Sequence, residues 1–440
     1  MISQTDLRQI RELETILQDH MESFGYRLID VPMIANADIF LTRAGDTIIE
    51  ELFTFERFGQ LLALRPEFTA AVANRYARSG ETKPVRWQMS GAIFIDQPSD
   101  YSLQYQQHNI GAELIGQAGM MADAEVLALA ASGVDRLHVP DWELVVGHVG
   151  LQLHLLSQFN LDSRTYRILL TQRDRLKTDG KQAVLEHLKG ILDIVPDEEA
   201  LPAGDGIETQ QVLDVLLDSN RYGSTMGGRT RHDIMNRLLK KHDRGLEHQQ
   251  ISDALDFLLA WGGTKGKLAQ ISDDIRQFIA VDDLIGQRLF ADWLTTLDYV
   301  TAYGVPEDRI VLQPDLTKNW DYYTGIVFGV RSKDRYVASG GRYDGLIQLL
   351  GSEEAFPAVG YAYYTQALID SMDMAPNKAP IITLQANDSI AAIRWANYLR
   401  QHQISVEIVS DEADVIVSGE QAAYQNMTLS QDKLVEELSK

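Results

Sequence analysis

The chain has 440 residues, 45% hydrophobic and 23% charged, an ordinary globular composition that excludes disordered, collagenous and fibrous classes. Its 40 basic and 63 acidic residues give a net charge of −23, which weighs against nucleic-acid binding unless cations cluster locally. There is no cysteine, so disulfides, thiolate metal sites and cysteine nucleophiles are excluded.

The length allows roughly two to four domains. No apolar run reaches the ~20 residues of a membrane span. Met1 to Asp6 does not open a signal peptide, so a cytoplasmic protein is expected. Residues 4–24 read as an amphipathic helix, with Leu7, Ile10, Leu13, Ile16, Leu17 and Met21 at helical spacing. Ser3 and Asp6 have the spacing of a capping box, and Gly25 suits the position past the helix end. Tyr26 to Val31 reads as a strand closed by Pro32, Thr69 to Arg78 as a helix, Glu113 to Gly116 as a strand end and Ala122 to Ser132 as a helix. Residues 139–146 read as a strand leading into a helix near 150–160.

From there to about 300 the pattern is nearly all helical: Val184–Ile194, Gln210–Leu217, Arg231–Lys241, Gln250–Leu259 and Ile285–Tyr303. Strands return at Arg309–Leu312, Ile326–Val330 and Tyr336–Ala338, and Gly360–Asp370 reads as a strand running into a helix. A linker at Pro376–Pro380 precedes a small α/β unit: strand Ile381–Leu384, helix Ser389–Gln401, strands Ser405–Val409 and Asp414–Val417, and helix Gln431–Leu438.

Four polar segments stand out: Leu64-Arg-Pro-Glu-Phe-Thr69, the stretch from Phe94 to Glu113, Lys318-Asn-Trp-Asp-Tyr-Tyr-Thr-Gly325 and Gly340-Gly-Arg-Tyr-Asp-Gly345. Each has a plain structural alternative. Arg65-Pro66-Glu67 could be a strand end with a local ion pair, and Asp321 to Gly325 a hairpin turn. Gly340 to Gly345 could be a turn whose glycines supply positive φ. It lacks the spacing of phosphate loops. His108 fits a structural histidine. No His/Asp/Glu cluster has metal-ligand spacing, so no metal and no cofactor are expected.

Taken together and in order, the four segments resemble the catalytic domain of the class II histidyl-tRNA synthetase family. Pro32 matches the proline of the family's first motif, which lies at a dimer interface. Residues 91–114 match the second motif, and Asp321–Gly325 and Gly340–Gly345 are similar to its two histidine signatures. The resemblance implies an α+β fold: an antiparallel sheet flanked by helices, with a helical insertion and a small C-terminal α/β unit. The expected domains are a synthetase-like first part at 1–150, a mainly helical insertion at 151–305, a second part at 306–374 and a truncated anticodon-binding-like domain at 376–440.

The family's ATP chemistry is missing. Adenylation needs cations on the α-phosphate, and losing one such donor costs about 3–4 kcal/mol in catalysis. Where the family's second motif reads Phe-Arg-x-Glu, this chain has Phe94-Ile95-Asp96-Gln97. Ala367 replaces the arginine of the third motif, Tyr364 replaces a glycine there, and Lys318 replaces the arginine before Asp-Tyr-Tyr. Phe68 also stands in place of a glycine. Lysine keeps a charge but loses the planar fork.

The amino-acid pocket is partly kept. By the resemblance, Glu67 and Thr69 take a histidine α-amino group, helped by Asn109 in place of the family's glutamine. Glu113 and Tyr323 bracket the imidazole nitrogens, Tyr343 lines the pocket and Lys318 meets the carboxylate. A structural alternative is that these polar groups pair with one another. The tail also departs from the synthetases: after His402 the basic residues are Lys433 and Lys440 against many acids, a poor anticodon reader.

These traits resemble the non-catalytic ATP phosphoribosyltransferase regulatory subunit family. That implies no enzymatic activity of its own, a short-form catalytic partner in the first step of histidine biosynthesis, L-histidine as feedback effector and a homodimer within a hetero-oligomer. No nucleic acid and no membrane are expected as partners. The alternatives are a divergent histidyl-tRNA synthetase and a histidine-sensing synthetase paralogue.

Overall fold

A computed structural model describes residues 4–41, 52–81, 84–96, 105–192, 248–316, 322–372, 381–410 and 412–438. The chain divides into two compact units, Ile10–Met372, and Asp373–Lys440 together with Met1–Gln9.

The strands of the larger unit are β1 (Arg27–Leu28), β2 (Ile34–Asn36), β3 (Thr54–Arg57), β4 (Gln60–Leu64), β5 (Val85–Phe94), β6 (Gln106–Ile115), β7 (Trp142–His148), β8 (Gly266–Lys267), β9 (Ile310–Leu312), β10 (Ile326–Ser332), β11 (Arg335–Arg342) and β12 (Ala358–Tyr364). Nine of them form one sheet in the order β1-β5-β6-β12-β11-β10-β7-β9-β8, and β2-β4-β3 form a small second sheet. The expected antiparallel sheet is the centre of the large one. The pairs β1–β5 and β7–β9 on its flanks are parallel.

Side chains alternate between the two faces of a strand, and here the faces differ in kind. One face packs Ile110, Ala112, Leu114, Leu144, Val146, Phe328, Tyr361 and Tyr363 into the main core. The helices Met120–Arg136 and Leu284–Ala302 supply Leu127, Val134, Leu297 and Val300 to the same core. The helix Gln4–Ser23 adds Leu13, Leu17 and Met21, each fully buried, and burying such a side chain is worth about 1.5–3 kcal/mol. It ends at Gly25, whose φ of 84° is the left-handed conformation predicted from the sequence. The opposite face of the sheet carries the candidate site.

Helices Ser163–Thr171, Arg173–Asp179, Lys181–Leu192 and 248–263 gather Leu169, Leu176, Val184, Leu188, Ile251 and Leu255 into a core of their own. Leu284–Ala302, which follows in the same helical stretch, belongs instead to the main core through Trp293. The helices expected at Gln210–Leu217 and Arg231–Lys241, and the linker at Pro376–Pro380, lie outside the described residues.

The smaller unit holds β13 (Ile382–Ala386), β14 (Val406–Ile408), β15 (Val415–Ser418), β16 (Gln421–Tyr424) and β17 (Met427–Leu429) in the order β14-β13-β15-β16-β17. Helices Ser389–Gln401 and Gln431–Leu438 cover it through Trp395, Leu399 and Leu434. The last two strands were not expected from the sequence. Their two-residue turn has Gln425 and Asn426 at φ 46° and 66°, the mirror-image hairpin geometry that suits strand twist. Among the described residues, no helix is long and apolar enough to cross a membrane.

Candidate functional site

The face opposite the main core carries Asn109, Gly111 and Glu113 along β6, in register with Tyr364, Ala362 and Gly360 on β12. Glu113 sits at the centre and is 1% exposed. Thr69 Oγ1 donates to its Oε1 and the Tyr343 hydroxyl donates to its Oε2, each at 2.6 Å. The Tyr322 hydroxyl interacts with Thr69 and with Tyr323. The rings of Tyr322 and Tyr323 lie 4.8 Å apart. Tyr323, Tyr322, Thr69, Glu113 and Tyr343 thus form one continuous polar chain.

Glu67 lies beside this chain and serves the helix Thr69–Ser79. Its carboxylate accepts from the backbone N–H of Thr69 and from that of Ala70 at 2.7 Å, which satisfies two donors left open at a helix start. Burial, tempered by these N–H donors, still lifts its carboxyl to about 7. Burial lifts Glu113 to about 8, against the two hydroxyl donors and with a further push from Glu67. Two acids near neutrality in one apolar setting can exchange protons with a bound ligand, and such shifts cluster at functional sites.

Close packing explains the glycines. A Cβ at Gly360 would sit 1.6 Å from Glu113 Oε2 and 2.7 Å from the Ala112 carbonyl. At Gly341 it would meet the Tyr323 ring at 2.9 Å, and at Gly340 the Gly360 carbonyl at 2.0 Å. Gly340 and Gly341 lie within β11, so the plain-turn reading of Gly340–Gly345 is corrected: these glycines permit backbone approach and do not supply positive φ. We expect Gly360→Ala to cost ~1–3 kcal/mol of stability, because the backbone of β6 must shift. Denaturant unfolding checks this, and an unchanged midpoint would refute the packing account.

Arg342 lies on the core face. It donates from Nε to Asp123 at 2.7 Å and from Nη1 to Asp344 at 2.9 Å, which ties β11 to the helix Met120–Arg136. The ion pair considered for Arg65 and Glu67 is also corrected. Arg65 donates to the backbone carbonyls of Ala92 and Val31 at 2.7 and 2.5 Å and lies over the Phe68 ring. His108 is structural: Nδ1 meets Thr365 Oγ1 at 3.2 Å and Nε2 meets Glu14 at 3.1 Å.

Of the residues singled out from the sequence, Glu67, Thr69, Glu113, Tyr323 and Tyr343 come together. Asn109 shares the face of β6 with Glu113, buried two strand repeats away. Lys318 lies outside the described residues. The sequence reading missed Tyr322, although it adjoins Tyr323 in the same signature, and Gly360, whose only sign was a small residue in a strand.

Three of the positions at which the sequence departs from the synthetase motifs are among the described residues. Ile95 packs against the second apolar core, Ala367 packs against the main one, and the Tyr364 hydroxyl pairs with Ser339. None offers a cation. Among the described residues, no group of His, Asp and Glu could hold a metal ion.

The chain matches the family model described as Histidyl-tRNA synthetase over residues 2–203 and 229–368. The protein from Brucella ovis named ATP phosphoribosyltransferase regulatory subunit is 29% identical over 352 residues, covering 78% of this chain and 92% of that one. Its counterpart from Brucella abortus is likewise 29% identical over 352 residues, covering 78% and 91%. Among solved structures, an ATP phosphoribosyltransferase regulatory subunit/histidyl-tRNA synthetase from Bacillus halodurans C aligns with a TM-score of 0.64 at 19% identity, covering 92% of this chain and 90% of that one. Apo S. aureus histidyl-tRNA synthetase aligns with a TM-score of 0.57 at 18% identity, covering 100% and 98%. At these identities the two structures establish the fold, a class II arrangement of mixed sheets and flanking helices.

Proposed function

Because the chain belongs to the histidyl-tRNA synthetase family, we propose that it works as a family member without synthetase activity, the regulatory subunit of an ATP phosphoribosyltransferase. The observation that carries this reading is the likeness to relatives of that name over nine-tenths of their length. The site agrees with it. Glu113 and Tyr323 offer partners for both nitrogens of an imidazole, while Ile95, Ala367 and Tyr364 stand where a synthetase needs cations and space for a nucleotide.

In this reading L-histidine is the effector, held by Glu67, Thr69, Asn109, Glu113, Lys318, Tyr323 and Tyr343. A site whose buried polar groups match a ligand's donors and acceptors rejects analogues that leave them unpaired. Histidine shifts the balance between two arrangements of the complex, and a coupling of ~1–3 kcal/mol gives 5–150-fold feedback. The chain forms a homodimer along the β1 edge, where Leu28, Met33 and Ile34 are exposed apolar side chains beside Pro32. The 376–440 region is a reduced anticodon-type domain whose acidity fits no RNA.

The test is reconstitution with the short-form catalytic subunit of the same genome. Phosphoribosyl-ATP formation is expected to require this chain and to fall as histidine is titrated in. A chain that changes nothing would sink the proposal. Histidine-dependent ATP–pyrophosphate exchange by the chain alone would establish a divergent synthetase instead.

A further inference from the structure

The sheet face that carries the pocket continues past Val327, Val145 and Val311 to β8, and there the sign of the charge reverses. Arg331 on β10 and Lys267 on β8 both pair with Glu143 on β7, at 2.6 and 2.7 Å. From the helix Arg173–Asp179, Lys177 pairs with Asp315, and Arg173 donates to the Asp315 carbonyl at 2.9 Å. Lys265 lies within electrostatic reach of Arg331, Lys177, Glu143 and Asp315. Five cations therefore face two carboxylates among the described residues here, in a chain whose net charge is −23.

The local chemistry suits an anion. Arg331 engages Glu143 through Nη2, while its Nε is buried with no hydrogen-bond partner among the described residues. Guanidinium and ammonium groups gathered in this way suit the oxygens of a phosphate. Gly262, near the end of the helix 248–263, packs onto the Lys177–Asp315 pair: a Cβ there would lie 3.0 Å from the Asp315 carboxylate and 3.1 Å from the Lys177 stem, and Thr264-Lys265 links that helix to β8. Gly263, the last residue of that helix, has open space beside it. Strand β8 runs directly into the helix Leu268–Arg276, whose first turn receives no side-chain cap from Lys267, and the positive end of that helix adds to the field. Lys265 is held below the ordinary lysine range by burial and by the like charges of Arg331 and Lys177, with Glu143 and Asp315 opposing. A bound anion would relieve that crowding.

We propose that this junction of helix, loop and sheet edge binds a small, multiply charged phosphate, with Lys177, Lys265, Lys267 and Arg331 as its ligands. Cations converging from several elements on one point fit a compact ion better than an extended acidic chain. The site lies apart from Glu67 and Glu113 and does not depend on the regulatory reading.

The probe is inorganic pyrophosphate, titrated calorimetrically into the full chain at 0.15 M salt. Saturable binding is expected, and it should weaken towards 1 M salt, where the screening length falls from about 8 to about 3 Å. Lys265→Met and Arg331→Gln are each expected to weaken binding about tenfold or more, the effect of one lost charge-assisted contact. Arg288→Gln, at a cation that is 82% exposed on another helix, should leave binding unchanged. Unchanged melting of the variants shows that the fold survives. Absence of saturable pyrophosphate binding would overturn the proposal, as would indifference to both cluster variants or an equal loss in Arg288→Gln. Binding of polyglutamate without pyrophosphate would overturn it too, in favour of an acidic protein partner.

Discussion

Replacing Glu113 with alanine is expected to abolish histidine feedback while the complex with the catalytic subunit still forms. Among the described residues, Glu113 is the only group that both hydroxyls, of Thr69 and of Tyr343, address at hydrogen-bond distance. In the proposed pocket it also meets an imidazole nitrogen. A hydrogen bond to a charged group is worth about 1.5–3 kcal/mol, so this contact alone accounts for a roughly 10–150-fold loss of histidine affinity. The two stranded hydroxyls add a stability cost of about 1–3 kcal/mol each where no water replaces the carboxylate. Glu113→Gln separates the two effects. It keeps the volume and one acceptor, so the fold is maintained, yet it cannot ionise and its amide meets one hydroxyl as a second donor. Feedback should weaken in the glutamine variant and vanish in the alanine variant, read from histidine titrations of phosphoribosyl-ATP formation, with complex formation followed by size-exclusion chromatography. Undiminished feedback in the alanine variant would sink the pocket assignment.

Much of this was legible in the sequence because local signals and the fold agree. The helix Ser389–Gln401 and the helix Gln431–Leu438 lie at the predicted residues, since amphipathic spacing and flanking turns fix both ends. The Asp-Tyr-Tyr and Gly-Gly-Arg-Tyr-Asp segments pointed to Tyr323 and Tyr343, and both reach the Glu113 network. Other features left no local trace. The alternative of an Arg65–Glu67 ion pair read two neighbours in sequence as partners. Their true partners are the carbonyls of Val31 and Ala92 and the start of the next helix, which only the folded chain brings near. The glycines of β11 looked like turn residues because a glycine that admits a neighbouring backbone is indistinguishable from one that adopts positive φ until the partner strand is known. The hairpin of β16 and β17 was missed because its turn is built from Gln425 and Asn426 and contains no glycine. The cation cluster at β8 was invisible for a similar reason. Its members come from residues 173 to 331, and the overall acidity of the chain masked them.

Histidine binding is expected to release protons, and affinity should rise with pH between about 6 and about 9 and then level off. In the unliganded protein the carboxyls stand at about 7 for Glu67 and about 8 for Glu113, each raised chiefly by burial. Below those values both are mostly protonated. The arriving α-ammonium and an imidazole N–H favour the ionised forms, so binding lowers both values and expels protons. Each proton released steepens affinity by at most about tenfold per pH unit. At pH 8 the free protein still holds about half of the Glu113 proton, and the slope disappears only about one pH unit higher, when both protons are gone. The same shifts act on the empty protein with the opposite sign. The folded state binds more protons than the unfolded chain from about pH 4.5 up to the raised values, so stability declines as pH rises through that window, by up to about 1.4 kcal/mol per pH unit for each group. The ligand therefore stabilises most where the empty pocket is weakest. Calorimetry in two buffers of different ionisation heat, from pH 6 to 8.5, counts the protons directly. Free imidazole titrates near 6.5, so the range above pH 7 isolates the protein's share, and Glu113→Gln should remove most of it. Binding heats that do not depend on the buffer above pH 7 would mean that neither carboxyl changes its charge on binding, and histidine would then have to be recognised by groups other than this pair.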